Sequence, residues 1–411
     1  MTSVALLDLC DSNLQLWHGD RHVQSPGYAL LQGQEYRFGV DARAAARLQP
    51  RNVNTRFWWQ LNTEPLQPTL GPARHTADLV HSHLSDLHKN AGEPEEIILA
   101  VPGSMQHEQL ALLLGIVQQC PFAAVGLVHR SVAISSQAHG ERLRHLELQL
   151  HQALLTEVTL HDNTARLQRS IPLPGVGLLQ LQERLVEIIA DRFVRQTRFD
   201  PRRSASDEQS LYDALPKTLN SLQSSDETNL EVGGYRARLS REDLRIAAVE
   251  LGAAVHRASD AGHQILVDPA VSVLPGWQEQ LPDSLPLPTT ALPAALTQHQ
   301  ENLIHRDEAL SYVTDLPLIV APTMVPRERQ PTAPRAIPTH LLRGTRADPL
   351  QEGGVALDEN WRLVRNGRGW LLEGCGDAAV NGAPYSTGQL LSLGDEITIG
   401  KGQPALLIEV R

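Results

Sequence analysis

Short apolar runs alternate with longer segments of helical period from residue 1 to about 280, and this alternation constrains the fold more than any other feature of the chain. Glu96-Ile97-Ile98-Leu99-Ala100-Val101-Pro102 is the sharpest example, a wholly apolar run of the kind that forms a strand buried on both faces. Val4 to Leu9 and Leu14 to Trp17 read as two strands joined by a tight turn at Asp11-Ser12-Asn13. Ala73 to Lys89 reads as an amphipathic helix with Leu79, Val80, Leu84 and Leu87 on one face. A helix over Gln106 to Gln119 and a strand over Ala124 to Val128 follow, then a strand, turn and strand over Leu146 to Leu160. Alternation of this kind predicts mixed α/β layers.

Leu178 to Thr197 and Asp207 to Leu222 are helical in pattern, and Leu230 to Leu239 reads as a hairpin turning at Gly233-Gly234. Ser240-Arg241-Glu242-Asp243 fits a capping box that opens a further helix. No internal repeat is visible. Composition shifts near Leu281, after which ten prolines from Pro282 to Pro338 predict a semi-rigid connector over 281–339, interrupted by one helix at about Ala294 to Ala309. Residues 340–411 read as a separate small all-β domain, its short strands broken at Asn366-Gly367, Asn381-Gly382 and Gly394-Asp395. The expected division is therefore 1–280, 281–339 and 340–411.

With 411 residues the chain is long enough for two or three domains. Its charge, 36 − 47 = −11, argues against nucleic acid or an anionic membrane as the main partner, since both require clustered Lys and Arg. No apolar stretch approaches the roughly 18 residues that a spanning helix needs. The first apolar run carries Asp8 and has no basic segment before it, so it reads as a strand and not as a signal peptide. Cys10, Cys120 and Cys375 are far apart and odd in number, which fits a reducing compartment. The expectation is a cytoplasmic protein that meets other proteins, with no nucleic acid partner and no membrane span.

Several segments, in order, resemble the ATPase domain of DnaK-type heat-shock chaperones, of the actin-like ATPase superfamily. Leu6-Leu7-Asp8-Leu9 and the polar turn after it resemble that family's first strand and first phosphate loop. Phe38 to Ala45, running on to Asn54-Thr55, resembles its G-x-x-A helix and N-x-x-N-T segment, and Ile97 to Gln109 its V-x-V-P-A strand and following helix. Lys217-Thr218-Leu219-Asn220-Ser221 through Glu242 resembles the adenosine-side subdomain, and His263 to Asp268 a late strand before an adenosine loop. The resemblance covers about residues 1–280. It implies a two-lobed actin-like ATPase fold, here followed by a small all-β sandwich domain. It also implies a nucleotide site in which Asp8, Asp213, Lys217 and Asn220 are the candidate contacts; the simpler reading of the last three is solvated residues on a helix face.

The departures bear on chemistry. Family members cradle phosphate with backbone N–H groups in glycine-rich loops. The first loop here is Asp8-Leu9-Cys10-Asp11-Ser12-Asn13, with no glycine. The second, expected as D-L-G-G-G-T, reads Gln149-Leu150-His151-Gln152-Ala153-Leu154 and lacks the acid, the glycines and the threonine. The adenosine loop reads Asp268-Pro269-Ala270-Val271-Ser272 in place of G-G-S-T-R. A β-carbon at such positions blocks close approach to phosphate, and Mg²⁺ loses its hold without carboxylates. The expectation is thus no catalytic residue, no metal, and either no cofactor or ATP and ADP bound weakly.

Other patterns carry less. His75, His81, His83 and His88 crowd one helix without zinc spacing and read as a polar face. Gly175-Val176-Gly177 reads as a loop before a helix, Ser104 as a helix N-cap, and Trp58-Trp59 as one core and one surface ring. Gly369 to Leu372 through Val380-Asn381-Gly382, and Leu391 to Gly400, are similar to the last strands of forkhead-associated domains, although their S-x-x-H segment is missing. Arg362, Arg365 and Arg368 are the available cations there. The expected function is a non-hydrolysing, DnaK-like binding or scaffold protein with a C-terminal β interaction module. The alternatives are an ATP-driven chaperone with divergent loops and a phosphopeptide-binding adaptor.

Overall fold

The apolar runs at the start of the chain pair as a meander. β1 (Ala5–Asp8), β2 (Leu14–His18) and β3 (Arg21–Ser25) are antiparallel, with Leu7 opposite Leu16. The computed structural model describes residues 4–259, 263–306, 310–319, 338–343, 346–350, 354–358, 360–366, 369–381, 383–385, 389, 391, 393–400, 402 and 404–408. A side sheet of β4 (Ala29–Gln32), β5 (Glu35–Phe38) and, after α1 (Gly39–Ala44), β6 (Val53–Asn54) follows the meander. Gly39 has φ 67°, and a Cβ there would lie 2.3 Å from Ser25 Oγ, so this junction requires glycine. α2 (Thr76–Asn90) presses Leu79, Val80, Leu84 and Leu87 against Leu7, Ile97 and Leu99. β7 (Glu96–Val101) joins parallel to β1, and α3 (His107–Val117) leads to β8 (Ala123–His129), parallel to β7. α4 (Arg130–Ser135) leaves β8 without a loop.

The same order then recurs. β9 (Arg142–Leu148), β10 (Gln152–His161) and β11 (Thr164–Pro174) form a second meander, followed by α5 (Leu178–Thr197). α6 (Ala205–Ser224), the hairpin β12 (Glu227–Val232) and β13 (Tyr235–Ser240), α7 (Arg241–Leu244) and α8 (Val249–Ala258) are inserted next. β14 (Gln264–Val267) lies parallel to β9, and after α9 (Pro269–Ser272) and α10 (Trp277–Gln280), β15 (Ser284–Pro286) lies parallel to β14. α11 (Ala291–Gln298) and α12 (Gln300–Leu303) complete the set. α11 opens before Pro293 because the first helical turn needs no backbone donor, so the helix expected from Ala294 starts earlier and breaks at His299.

Two edge strands then divide between the sheets. β16 (Tyr312–Val313) adds to β8 and β17 (Asp315–Pro317) adds to β11, so the chain crosses from one sheet to the other at Thr314, whose carbonyl accepts from Leu167 N–H at 2.9 Å. The sheet orders are β3-β2-β1-β7-β8-β16 and β17-β11-β10-β9-β14-β15. A repeat absent from the sequence is therefore present in topology: a three-stranded meander, then two strands stacked parallel to its first strand. α4 and α11 bring Val132, Ile134, Leu292 and Leu296 together with Leu6, Ile98, Leu143 and Leu266 of both sheets. Each such side chain contributes roughly 1.5–3 kcal/mol on burial.

The stretch 281–319, expected as connector, thus supplies strands and helices to this unit, which clusters as Met1–Ala321. Its prolines sit at strand ends and in the first turn of a helix, where a missing N–H costs nothing. Residues 320–337 of the expected connector lie outside the described residues.

In the second unit, Pro322–Arg411, the described residues form strands and turns only. β18 (His340–Arg343), β19 (Arg346–Pro349), β23 (Ala378–Val380), β24 (Ala383–Pro384), β25 (Glu396–Ile399) and β26 (Ala405–Ile408) form one sheet. β20 (Val355–Ala356), β21 (Trp361–Asn366) and β22 (Gly369–Gly374) form another. Leu341, Trp361, Leu363, Trp370, Leu372, Ile397 and Leu407 make their shared core. Gly367, Arg368 and Gly382 lie outside the described residues; Asn381 adopts φ 52° at its turn.

Candidate functional site

Asp8 is the last residue of β1, Glu147 lies next to the end of β9, and Asp268 follows β14 directly, so three carboxyls from both sheets gather at the carboxyl ends of strands. Arg130, the first residue of α4, reaches all three. Its Nε donates to Asp8 Oδ1 at 2.9 Å, and its Nη1 to Glu147 Oε2 at 3.2 Å and Asp268 Oδ2 at 3.0 Å. All four residues are buried, none more than 5% exposed. His145, on β9, bridges from Asp268 Oδ1 to Ser131 Oγ, 2.9 Å at each ring nitrogen.

Burial works against the Arg130 charge, but Asp268, Asp8 and Glu147 hold the guanidinium protonated well above the ordinary arginine value. Burial raises the carboxyls of Asp8 and Glu147, and Arg130 opposes the rise without cancelling it. At Asp268 burial is outweighed by Arg130 and His145, which bring it down to about 2. The cluster is a buried ion network that borders a cavity of about 390 Å³, with Asp8, Arg130 and Asp268 on its wall.

The two hairpin turns beside this cluster touch each other. Leu150 N–H donates to Asp11 Oδ1 at 2.8 Å, and Cys10 Sγ donates to the Leu148 carbonyl at 3.7 Å. The Leu150 side chain is fully buried among Tyr28, Leu30 and Ala42. The first N–H groups of α5, which at a free helix start are available to an anion, are taken by the same hairpin: Leu178 N–H donates to the Gln149 carbonyl at 2.8 Å and Leu179 N–H to the Leu150 carbonyl at 3.0 Å. Gly177 permits this contact, since a Cβ there would lie 2.4 Å from Gln152 N.

These residues do not fit the magnesium nucleotide that the chaperone resemblance implies. A guanidinium stands between the carboxyls where a divalent cation would need them, and the α5 amides already have acceptors.

Glu147 lies two residues ahead of the loop expected from Gln149, near the end of β9. Glu147-Leu148 ends β9 much as Asp8-Leu9 ends β1, and the turn begins at Gln149. That acid–leucine pair at a strand end is the signal from which Glu147 is legible. Arg130 carries a weaker signal, a charged residue between the apolar runs Val125–Val128 and Val132–Ile134. Asp268 shows in sequence only as part of a loop lacking glycine.

The other expected contacts are dispersed. Asp213, Lys217 and Asn220 all lie exposed on α6. Asp213 accepts from Gln209 Nε2 at 2.9 Å and lines a cavity of about 220 Å³ with Tyr28, Arg43 and Arg47, whereas Lys217 and Asn220 do not reach it. None of the three joins Asp8.

The four helix histidines also separate. His83 is buried, with Nε2 2.7 Å from Ser25 Oγ and Nδ1 accepting from Trp58 Nε1 at 3.0 Å, so this side of α2 is not the polar face expected. His88 is buried too, facing the Pro94 carbonyl, while His81 faces that of Gln119 and His75 pairs with Asp78. Ser104 caps nothing, because α3 starts three residues later; its Oγ accepts from Gln149 Nε2 at 2.8 Å. Trp58 is core and Trp59 is 39% exposed, stacked on His151.

Ser131, His145 and Asp268 stand in the order of a nucleophile, base and carboxylate, but Ser131 is 0% exposed and no substrate reaches it. The trio serves to orient the ion network.

No family model matches the chain, and no curated protein matches it. Among the described residues no helix is long and apolar enough to cross a membrane.

Proposed function

We propose that this protein works by binding and not by nucleotide turnover, as a DnaK-like, actin-like ATPase relative with a disabled cleft and a C-terminal β interaction module. The observation that carries the reading is Arg130 seated among Asp8, Glu147 and Asp268, a fixed internal cation in the position that metal-assisted phosphoryl chemistry reserves for a mobile one. The repeated strand order of the two sheets supports the two-lobed actin-like part of the reading. The acidic chain, with its three widely spaced cysteines, favours a protein partner met in the cytoplasm. For the β module the reading is protein contact, without a commitment to phosphorylated ligands.

The test is steady-state ATP turnover by the full chain with Mg²⁺. The expected result is no phosphate release above that of buffer. Turnover by the wild-type chain that disappears in Asp8→Asn would establish the alternative, an ATPase with divergent loops.

A further inference from the structure

The cavity of about 220 Å³ beside α6 lies apart from the Arg130 network and has its own chemistry. Tyr28 is 5% exposed, lines the cavity, and its hydroxyl has no hydrogen-bond partner among the described residues. The hydroxyl itself is open to the cavity, which presents it as a polar group that a ligand atom can meet. Burial pushes its pKa up to about 12 against the pull of Arg43 and Arg47, which line the same cavity.

The charges on the wall divide into a used pair and a free pair. Arg47 stacks over the Tyr212 ring at 4.0 Å and faces Glu183 at 3.6 Å, so these two charges offset each other. Arg43 forms no side-chain hydrogen bond or ion pair among the described residues, and Asp213 holds only the Gln209 amide. What the wall offers a ligand is the Arg43 guanidinium, the Tyr28 hydroxyl and the Asp213 carboxylate, beside a Tyr212 ring that carries Arg47 on one face.

We infer that this cavity binds a free α-amino acid, its carboxylate met by Arg43 and the Tyr28 hydroxyl, its ammonium by Asp213, and its side chain laid along Tyr212. A neutral ligand would leave both charges unanswered, and a simple anion would leave Asp213 facing it. The site draws on β4, α1, α5 and α6, so an occupant contacts both halves of the first unit. Binding here is independent of whether nucleotide is turned over.

The experiment is a thermal-shift screen of the full chain against the free L-amino acids and adenosine, followed by calorimetry of each compound that raises the melting temperature. N-acetyl and carboxamide derivatives of each binder remove one charge at a time. At least one free amino acid should bind, and either blocked form should bind about tenfold to a hundredfold more weakly. Arg43→Met should abolish the preference for the acid over its carboxamide, and Asp213→Asn the preference for the amine over its N-acetyl form. Asp213 is exposed and Arg43 half-buried, and melting without ligand reports that the variants fold. The inference is overturned if no amino acid binds at millimolar concentration, if the blocked forms bind equally well, or if adenosine alone binds.

Discussion

Arg130 Nε lies 2.9 Å from Asp8 Oδ1, so the acid that ends the first strand is answered from within the chain by the first residue of α4. Glu147 and Asp268 share the same guanidinium, which ties the carboxyl ends of β1, β9 and β14 to one side chain.

Removing that side chain strands three buried carboxyls. Arg130→Met should destabilise the protein by about 3–5 kcal/mol at neutral pH, the usual cost of leaving a buried charge unpaired. The loss should shrink in acid, because the stranded carboxyls titrate higher in the folded than in the unfolded state and stability then falls as pH rises. Urea unfolding of both proteins at pH 5 and pH 8 checks the magnitude and the sign; an effect below about 0.5 kcal/mol would place Arg130 among ordinary surface residues.

Asp11 gives a second, separable pH effect. Burial raises its carboxyl from 3.8 to about 7, although it accepts the Leu150 N–H. Its folded pKa lies above the unfolded one, so its contribution is complete below about pH 4 and is lost as pH rises through about 7. The loss amounts to roughly 1.4 kcal/mol for each pH unit that separates the two values. Asp11→Asn keeps an acceptor for Leu150 and cannot ionise. The variant should equal or exceed the wild type in stability above pH 7 and lose the difference below pH 5. Parallel melting curves at every pH would contradict this.

Leu150 packs the second turn on Tyr28, Leu30 and Ala42. Leu150→Ala should cost about 2–5 kcal/mol, as for other fully buried leucines whose cavity cannot collapse. Chemical denaturation measures it; a loss under about 0.5 kcal/mol would mean that the second turn is not packed on β4 and α1.

Arg47 is the contrasting case. Its partners Glu183 and Glu208 are 3.6 and 3.7 Å away and its side chain is 30% exposed. Arg47→Ala should cost no more than about 1 kcal/mol, and less in high salt, because exposed pairs are weak and screened. A larger loss by the same denaturation assay would show that this bridge, and not the Arg130 network, holds the halves together.

Much of the first unit is legible in sequence because its strands are apolar and its helices keep a clean stripe, as in Glu96 to Val101 and Thr76 to Asn90. β11 escapes such a reading since its outward residues, Gln168, Arg169 and Ser170 among them, interrupt any apolar run. The prolines mislead for a physical reason: Pro286, Pro293 and Pro317 sit where no backbone donor is needed, so local composition suggests a linker while pairing with distant strands makes a sheet. At the site, Asp8 is readable from its strand end. Arg130, Asp268 and His145 converge from positions up to 138 residues apart, and nothing local to any of them encodes that meeting.

Calorimetric titration of ATP and ADP into the full chain, with and without Mg²⁺, tests the proposed loss of nucleotide turnover most directly. No Mg²⁺-dependent heat is expected at millimolar nucleotide, because Arg130 already answers Asp8, Glu147 and Asp268. Micromolar binding that requires Mg²⁺ would contradict this, since the cation would have to displace the guanidinium from the carboxyls.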